Sequence, residues 1–333
     1  MSGPSLTSSY SAQFSEAAQF MQQHDSFLVV SHIHPDGDAA SSTCAVGLML
    51  DQLGKRYTLL NDGAVPQKFD EVCGSDRIVN AQLLSELPAA QAIIAVDCAD
   101  FERIGEVAAR FPAGLPLLNI DHHPTNDLYG TANLVIADAS ATAEILYDLI
   151  TFMSLSWNKQ LADCIYTGLL TDTGGFRYAN TSSKVMKMAA TLLDYGTSAS
   201  ELAEILLEST TSAHVELLKR ALNTLTFSPK QDIAWVIVEK EDMSETKANH
   251  EDLEGIVNYP RNIEGVQVGM LFKEMKDGTV KCSFRSAGKA NVAALAQQFG
   301  GGGHVRAAGA TLDGPLSEAI ASVVREVERA LYG

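Results

Sequence analysis

Residues 31–42 read SHIHPDGDAASS and follow directly on the apolar run FLVV. They bring His32, Asp36 and Asp38 together behind what reads as a buried strand. Pro35 and Gly37 suit a turn that aims the two carboxylates to one side. Two further apolar runs end the same way, AIIAV into Asp97 and LPLLNI into Asp121, His122 and His123. Asp172, in LLTDTGGF, follows another apolar segment and could join them. Imidazole and carboxylate without thiolate suit a hard or borderline divalent ion: Mn²⁺ or Mg²⁺, with Co²⁺ or Zn²⁺ as alternatives. These acids and imidazoles exceed the needs of one ion. Bridging carboxylates would hold two ions about 3.5–4 Å apart, the spacing that clamps a phosphoryl centre and generates hydroxide. Alone, PDGD is usually a turn, DHH an aspartate cap with surface histidines, and Asp97 an ordinary strand end. Their joint placement at successive strand ends favours the metal site.

Those strands must share a sheet for the constellation to exist. SFLVVSH, RYTLLND, AQAIIAVD and LPLLNID are short apolar runs of the kind found in parallel sheets covered on both faces. Helical segments separate them: AASSTCAVGLMLDQLG, for example, is closed by Gly54. AQFSEAAQFMQQH reads as an opening helix. A doubly wound α/β domain follows, in which ligands sit beyond the carboxyl ends of the strands. Residues 143–170 keep a helical spacing, and SSKVMKMAATLLDYG is a further helix stopping at Gly196. TSASELAEILLESTTSAH reads as an exposed connection with helical character. The expected division is 1–195 for the metal-binding domain, 196–215 for the linker, and 216–333 for a smaller α/β domain with a mixed sheet. In the latter, DIAWVIVE is a strand and VQVGMLFKEMKDGTVKCSFRS a hairpin around Asp277-Gly278. ANVAALAQQFG is a helix, GGGHVRAAG a glycine-rich loop, and LSEAIASVVREVERALYG a terminal helix.

The chain has 333 residues and a formal charge of −17. The acidity is uneven: residues 1–215 hold 10 Lys+Arg against 25 Asp+Glu, and residues 216–333 hold 14 against 16. A long nucleic acid needs a broad basic surface that this chain does not offer, so a phosphate-bearing partner should be small. The five cysteines are scattered without a CxxC pair, which argues for free thiols in a reducing compartment, the cytoplasm by default. The polar N-terminus lacks signal-peptide features, and no apolar run approaches a membrane span.

A second set of candidates lies in the smaller domain. The glycines of FGGGGH, among them Gly302 and Gly303, allow a backbone to approach phosphate and present N–H donors. Arg285 in FRS can fork onto two phosphate oxygens, with Ser286 beside it and His304 closing the glycine run. In the first domain, Arg103 in FERIG and Arg177 in GFRY are further candidates for phosphate contact or for surface salt bridges. Asn291 is a candidate for seating a nucleotide, and Arg306 is a weaker one.

HIHPDGDA, AVDCAD, NIDHHP, LLTDTGGFRY and FGGGGHVRAAG occur in the order of the DHH phosphoesterase superfamily, and the chain resembles its nanoRNase/pAp-phosphatase subfamily over nearly its whole length. The resemblance implies that His32, Asp36 and Asp97 hold one ion, and that Asp38, Asp97, His122 and Asp172 hold the other, with Asp97 bridging. Mn²⁺ is the expected metal. It implies that His123 contacts the scissile phosphate or leaving group, and that Asp121 orients its neighbours. Arg285 and His304 match the substrate-binding end of the C-terminal domain, which would close over the substrate. The implied activity is hydrolysis of two- to five-nucleotide RNAs to 5′-mononucleotides and removal of the 3′-phosphate of pAp. The family also carries an expectation of a homodimer. Alternatives are a cyclic-dinucleotide phosphodiesterase, an inorganic pyrophosphatase or exopolyphosphatase, and a nucleotide-binding regulatory module with a decayed metal site. Pyrophosphatases grip phosphate chiefly with lysine and arginine, so GGGGH argues against that class.

Overall fold

The computed structural model describes residues 10–288 and 290–333. The chain divides into two compact units, Met1–Ser209 and Thr210–Gly333. In the first, six strands form one sheet: β1 (Ser26–Val30), β2 (Arg56–Asn61), β3 (Val79–Asn80), β4 (Ala92–Val96), β5 (Leu117–Asp121) and β6 (Ala132–Val135). The order is β3-β2-β1-β4-β5-β6 and every pairing is parallel. The helices are α1 (Ser11–Gln23), α2 (Gly37–Gln52), α3 (Asp70–Cys73), α4 (Thr142–Phe152), α5 (Lys159–Asp172), α6 (Ser183–Asp194) and α7 (Ala199–Ala203).

The apolar strands are uninterrupted because both faces of the sheet are covered. Phe27 and Val29 pack into one core cluster with α1, α2, α4 and α5. Leu28 and Val30, pointing the other way, pack with Ile93, Ala95, Ile104 and Val107. A period of two thus serves two cores at once. The strand order reverses between β1 and β4, the position where an open parallel sheet leaves a crevice at its carboxyl edge.

Three local expectations change. The helical spacing over 143–170 is two helices, broken where Ser154 turns left-handed (φ 55°) and Asn158 caps α5 by accepting from Leu161 N. Residues 199–208 are helical and bury Leu202 and Leu206 in the first unit's core, so the first half of the expected linker is packed structure. The short strands β3 and β6 carry too few residues to announce themselves by period.

The second unit has α8 (Ser212–Asn223), α9 (Asp242–Glu245), α10 (Asn258–Arg261), α11 (Val292–Gln297) and α12 (Leu316–Tyr332). Its strands are β7 (Thr226–Phe227), β8 (Ile233–Val238), β9 (Val268–Glu274), β10 (Val280–Ser286), β11 (Gly302–His304) and β12 (Ala307–Leu312). They form a mixed sheet in the order β11-β12-β10-β9-β8-β7, in which β8 and β9 run parallel and the other described pairs antiparallel. The glycine-rich stretch expected as a loop is in part strand, since Gly302–His304 pairs antiparallel with Ala307–Gly309. Glycine hid that strand: it has no side chain to carry a period. Among the described residues, no helix is long and apolar enough to cross a membrane.

Candidate metal centre

β1 delivers Ser31 and His32 to the sheet's carboxyl edge, and α2 begins at Gly37, earlier than the sequence suggested. Asp36 is its N-cap, accepting from Asp38 N and Ala39 N at 3.1 Å through Oδ1, the usual stabilising role of aspartate there. Asp38, expected in a turn, therefore lies in the first helical turn and is fully buried.

Two glycines permit that burial. A Cβ on Gly168 of α5 would stand 2.4 Å from Asp38 Oδ1, and one on Gly37 would stand 2.5 Å from Thr171 Cγ2. Only hydrogen at these positions lets α2 and α5 approach closely enough to bring Asp38 and Asp172 together. Asp172 ends α5 because Gly174, Gly175 and Phe176 all turn left-handed (φ 57°, 75° and 60°), which accounts locally for the DTGGF sequence. Asp97 itself has φ 53°, a conformation that costs a non-glycine residue about 1 kcal/mol and clusters at functional sites.

Hydrogen bonds fix each donor atom. His32 Nδ1 lies 2.8 Å from the Ile33 carbonyl and His122 Nδ1 lies 3.3 Å from the Ala139 carbonyl. A carbonyl only accepts, so each Nδ1 carries hydrogen and each Nε2 presents its lone pair. His32 Nε2 lies 3.8 Å from Asp97 Oδ2. His122 Nε2 lies 3.5 Å from Asp97 Oδ1 and 3.3 Å from Asp172 Oδ2. The two His122 separations match those of neighbouring ligands on one ion, about 3–3.5 Å for bonds near 2.1 Å, and the His32 separation lies just beyond them. Among the described residues, three sets have donor atoms within 4.8 Å of one another: His32, Asp36 and Asp97; Asp38, His122 and Asp172; and Asp97, His122 and His123.

The electrostatics fit a cation. Burial pushes the carboxyls of Asp38 and Asp172 well above the ordinary range, and the neighbouring aspartates push them further. Asp97 is also raised, first by burial and then by Asp36, although the three histidines oppose this. Carboxylates gathered this way repel one another until positive charge joins them. An oxygen and imidazole donor set, held in place before any ion arrives, fits one or two divalent cations.

Asp121 has a different task. It is fully buried at the end of β5, accepting from His123 Nδ1 at 2.7 Å and from Asn126 Nδ2 at 2.6 Å. Burial, the largest single influence, works against its charge, but the His123 bond and charge, the Asn126 bond and the His122 charge together outweigh it and the carboxyl is lowered. His123 is correspondingly raised: burial opposes its charge most strongly, and the Asp121 bond with the charges of Asp97 and Asp121 together more than compensates.

Residue types alone missed Thr142, whose N donates to Asp38 Oδ2 at 2.6 Å and whose Oγ1 donates to Asp97 Oδ1 at 3.0 Å. Ala143 N and Ser42 Oγ complete the shell of Asp38 at 3.0 and 3.2 Å. No sequence pattern marks Thr142, although a helix N-terminus is a natural seat for a carboxylate. Arg103 lies in the turn Glu102–Ile104, and its carbonyl accepts from Ile33 N beside His32. Arg177 is exposed, with Nε donating to the Gly174 carbonyl.

In the second unit, Arg285 of β10 stands opposite Ala307 of β12, which stands opposite His304 of β11. Directly paired residues share a sheet face, so Arg285 and His304 flank the small side chain of Ala307. Ser286 alternates to the other face, where it is buried and its Oγ donates to the Gly288 carbonyl. Its hydroxyl does not join the Arg285 row. Asn291 spends its side-chain oxygen capping α11 at Ala294 N. Gly303 has φ 138° and a Cβ there would stand 2.5 Å from the Ala307 carbonyl, so its glycine is required; at Gly302 there is open space.

A buried acid and imidazole cluster at the switch point of a parallel sheet, followed by a separate mixed-sheet unit, defines a class of two-domain phosphate-handling α/β proteins. The chain belongs to the DHH family: residues 26–169 match its N-terminal domain and residues 213–333 match the DHHA1 domain. It is 33% identical over 304 residues to the bifunctional oligoribonuclease and PAP phosphatase NrnA of Thermus thermophilus, covering 91% of this chain and 89% of that one. It is 29% identical to the NrnA of Bacillus subtilis, covering 89% and 92%. An exopolyphosphatase-related protein from Bacteroides fragilis has the same fold, with a TM-score of 0.87 and 27% identity over 95% of both chains.

Proposed function

We propose that this protein is a divalent-metal phosphoesterase that hydrolyses RNAs of two to five nucleotides to 5′-mononucleotides and removes the 3′-phosphate of pAp. The observation that carries the reading is Asp97, whose carboxylate stands beside both His32 and His122. The names of the T. thermophilus and B. subtilis relatives support the substrate class. His32, Asp36 and Asp97 would hold one ion, and Asp38, Asp97, His122 and Asp172 the other, with Mn²⁺ best suited to the mixed donors. Bound ions would supply an acidified water and charge neutralisation at phosphorus. The chain's own contribution is orientation. Thr142 fixes Asp97 and Asp38, and Asp121 turns His123 so that the imidazole can donate to a phosphoryl or leaving oxygen. Arg285, Gly302, Gly303 and His304 are read as the second unit's phosphate contacts. All five cysteines are free and buried, which supports a reducing cytoplasm.

Product analysis tests the reading. The protein with Mn²⁺ is offered pAp, a dinucleotide, a 24-mer and pyrophosphate. AMP and mononucleotides from the two short substrates are expected. Phosphate from pyrophosphate alone would instead move the protein to the pyrophosphatase class, and the name of the B. fragilis neighbour makes that arm worth running.

A further inference from the structure

The row through Arg285 is part of a larger uncovered face. On β10, Lys281, Ser283 and Arg285 alternate with the buried Val280, Cys282, Phe284 and Ser286, so they share the face turned away from the core under α11 and α12. Register extends that face. Lys273 and Thr311 flank Lys281, Leu271 and Gly309 flank Ser283, and Gly269 and Ala307 flank Arg285. β11 adds Gly302 beside Gly309 and His304 beside Ala307. Toward β8 the face is roofed by the apolar cluster around Val236, Val238 and Leu271. Beyond it the floor is glycine, alanine, serine and threonine, and the charged side chains of this set are all bases.

Two observations mark the face for an anion. Lys273 and Lys281 stand directly opposite one another, an arrangement that costs stability. Burial, and then the charge of Lys281, hold the Lys273 ammonium below its ordinary range. Independently, a Cβ on Gly269 would stand 2.4 Å from Arg261 N, so Arg261 lies over Gly269 at the end of the Arg285 row. Its Nε is buried with no hydrogen-bond partner among the described residues.

We propose that this face is a track for the sugar–phosphate backbone of the substrate beyond its first two nucleotides, with Lys273 and Lys281 as phosphate contacts and Arg261 backing Arg285. The inference rests on the oligonucleotide reading above and adds length selectivity to it. Lys281 precedes Arg285 by four positions on β10, about 13 Å along a strand. A dinucleotide held at Arg285 falls short of the lysine pair, whereas a pentanucleotide reaches it.

The test is the double variant Lys273→Gln/Lys281→Gln, assayed on pAp, a dinucleotide and a pentanucleotide. The pentanucleotide KM should rise about tenfold at unchanged kcat, with the dinucleotide KM within about twofold of wild type. The slope of log kcat/KM for the pentanucleotide against log salt should shrink by about 1.4, about 0.7 per lost contact. Lys273→Arg/Lys281→Arg should restore both. An unchanged pentanucleotide KM, or equal rises for both RNAs, overturns the track. If the wild-type protein cleaves neither RNA, the parent reading fails instead. Anisotropy of a labelled pentanucleotide then decides the track alone: equal affinity for wild type and variant overturns it, and a tenfold loss sustains it.

Discussion

The carboxyl edge of the first unit's sheet and the open face of the second unit's sheet handle charge in opposite ways. At the edge, Asp38 and Asp97 are buried and held by backbone N–H groups and hydroxyls, and with the half-buried Asp172 they are crowded until their carboxyls resist ionisation. On the open face, bases stand on small residues, with one arginine nitrogen buried and, among the described residues, unpartnered. On the proposed reading, the first arrangement would take cations at positions fixed beforehand. The second would take anions and leaves room for them. Preorganisation at one end and accessibility at the other are what a phosphoesterase needs for its metals and its substrate respectively.

The largest expected effect lies at the edge. Asp97→Ala should lower turnover of both short substrates at least about 10³-fold, because the carboxylate common to both clusters is lost. Product analysis showing more than a tenth of wild-type activity would mean that the two clusters do not share this ligand. On the open face the effect should fall on binding. Arg285→Gln should raise KM for pAp about 10- to 100-fold at similar kcat, the cost of a charge-assisted contact. A fall in kcat with KM unchanged would place Arg285 in the chemistry and blur the contrast.

Smaller effects sharpen the account of the edge. Gly168→Ala should destabilise the protein by about 1–3 kcal/mol in urea unfolding, because the methyl would meet Asp38 and Ala143. An unchanged midpoint would show slack between α2 and α5. The pH dependence of metal-free stability has a definite sign. Asp38, Asp97 and Asp172 are raised in the folded state, so these three groups hold more protons in the native protein than in the unfolded chain above about pH 4. Their contribution is complete below the unfolded pKa and is lost as pH rises through the raised folded values. Melting temperature without metal should therefore fall as pH rises through that window, and saturating Mn²⁺ should reverse or flatten the trend. A metal-free protein that gains stability from these groups over the same window would contradict the crowding.

Much of the edge was legible because strand ends and chemistry coincide: apolar runs name the strands, and the residues ending them name the rim. Asp36, expected in a turn, is a helix cap; turn and cap share residue types, and only the apolar helix behind it separates them. The partners of the acids were not legible. Thr142 acts through a backbone N–H and an ordinary hydroxyl, and Asn126 reaches Asp121 across a turn. Such roles depend on tertiary proximity, which composition and period do not encode. Ser286 illustrates the converse error. Adjacent to Arg285 in sequence, it faces the opposite side of the sheet, because a strand alternates. The lysine pair escaped notice because register, which joins residue 273 to residue 281, is decided by the hairpin between them.

Asp38 has a consequence for how this sequence can drift. Its carboxylate accepts from the first two N–H groups of α4, so it closes the end of a core helix as well as facing the candidate metal cluster. A lineage that abandoned hydrolysis could discard His123 or Asp172 with little harm to folding, but replacing Asp38 with an apolar residue would leave two buried donors orphaned. Inactive descendants should therefore keep this aspartate longest, as a remnant of a metal site that survives because it is architecture.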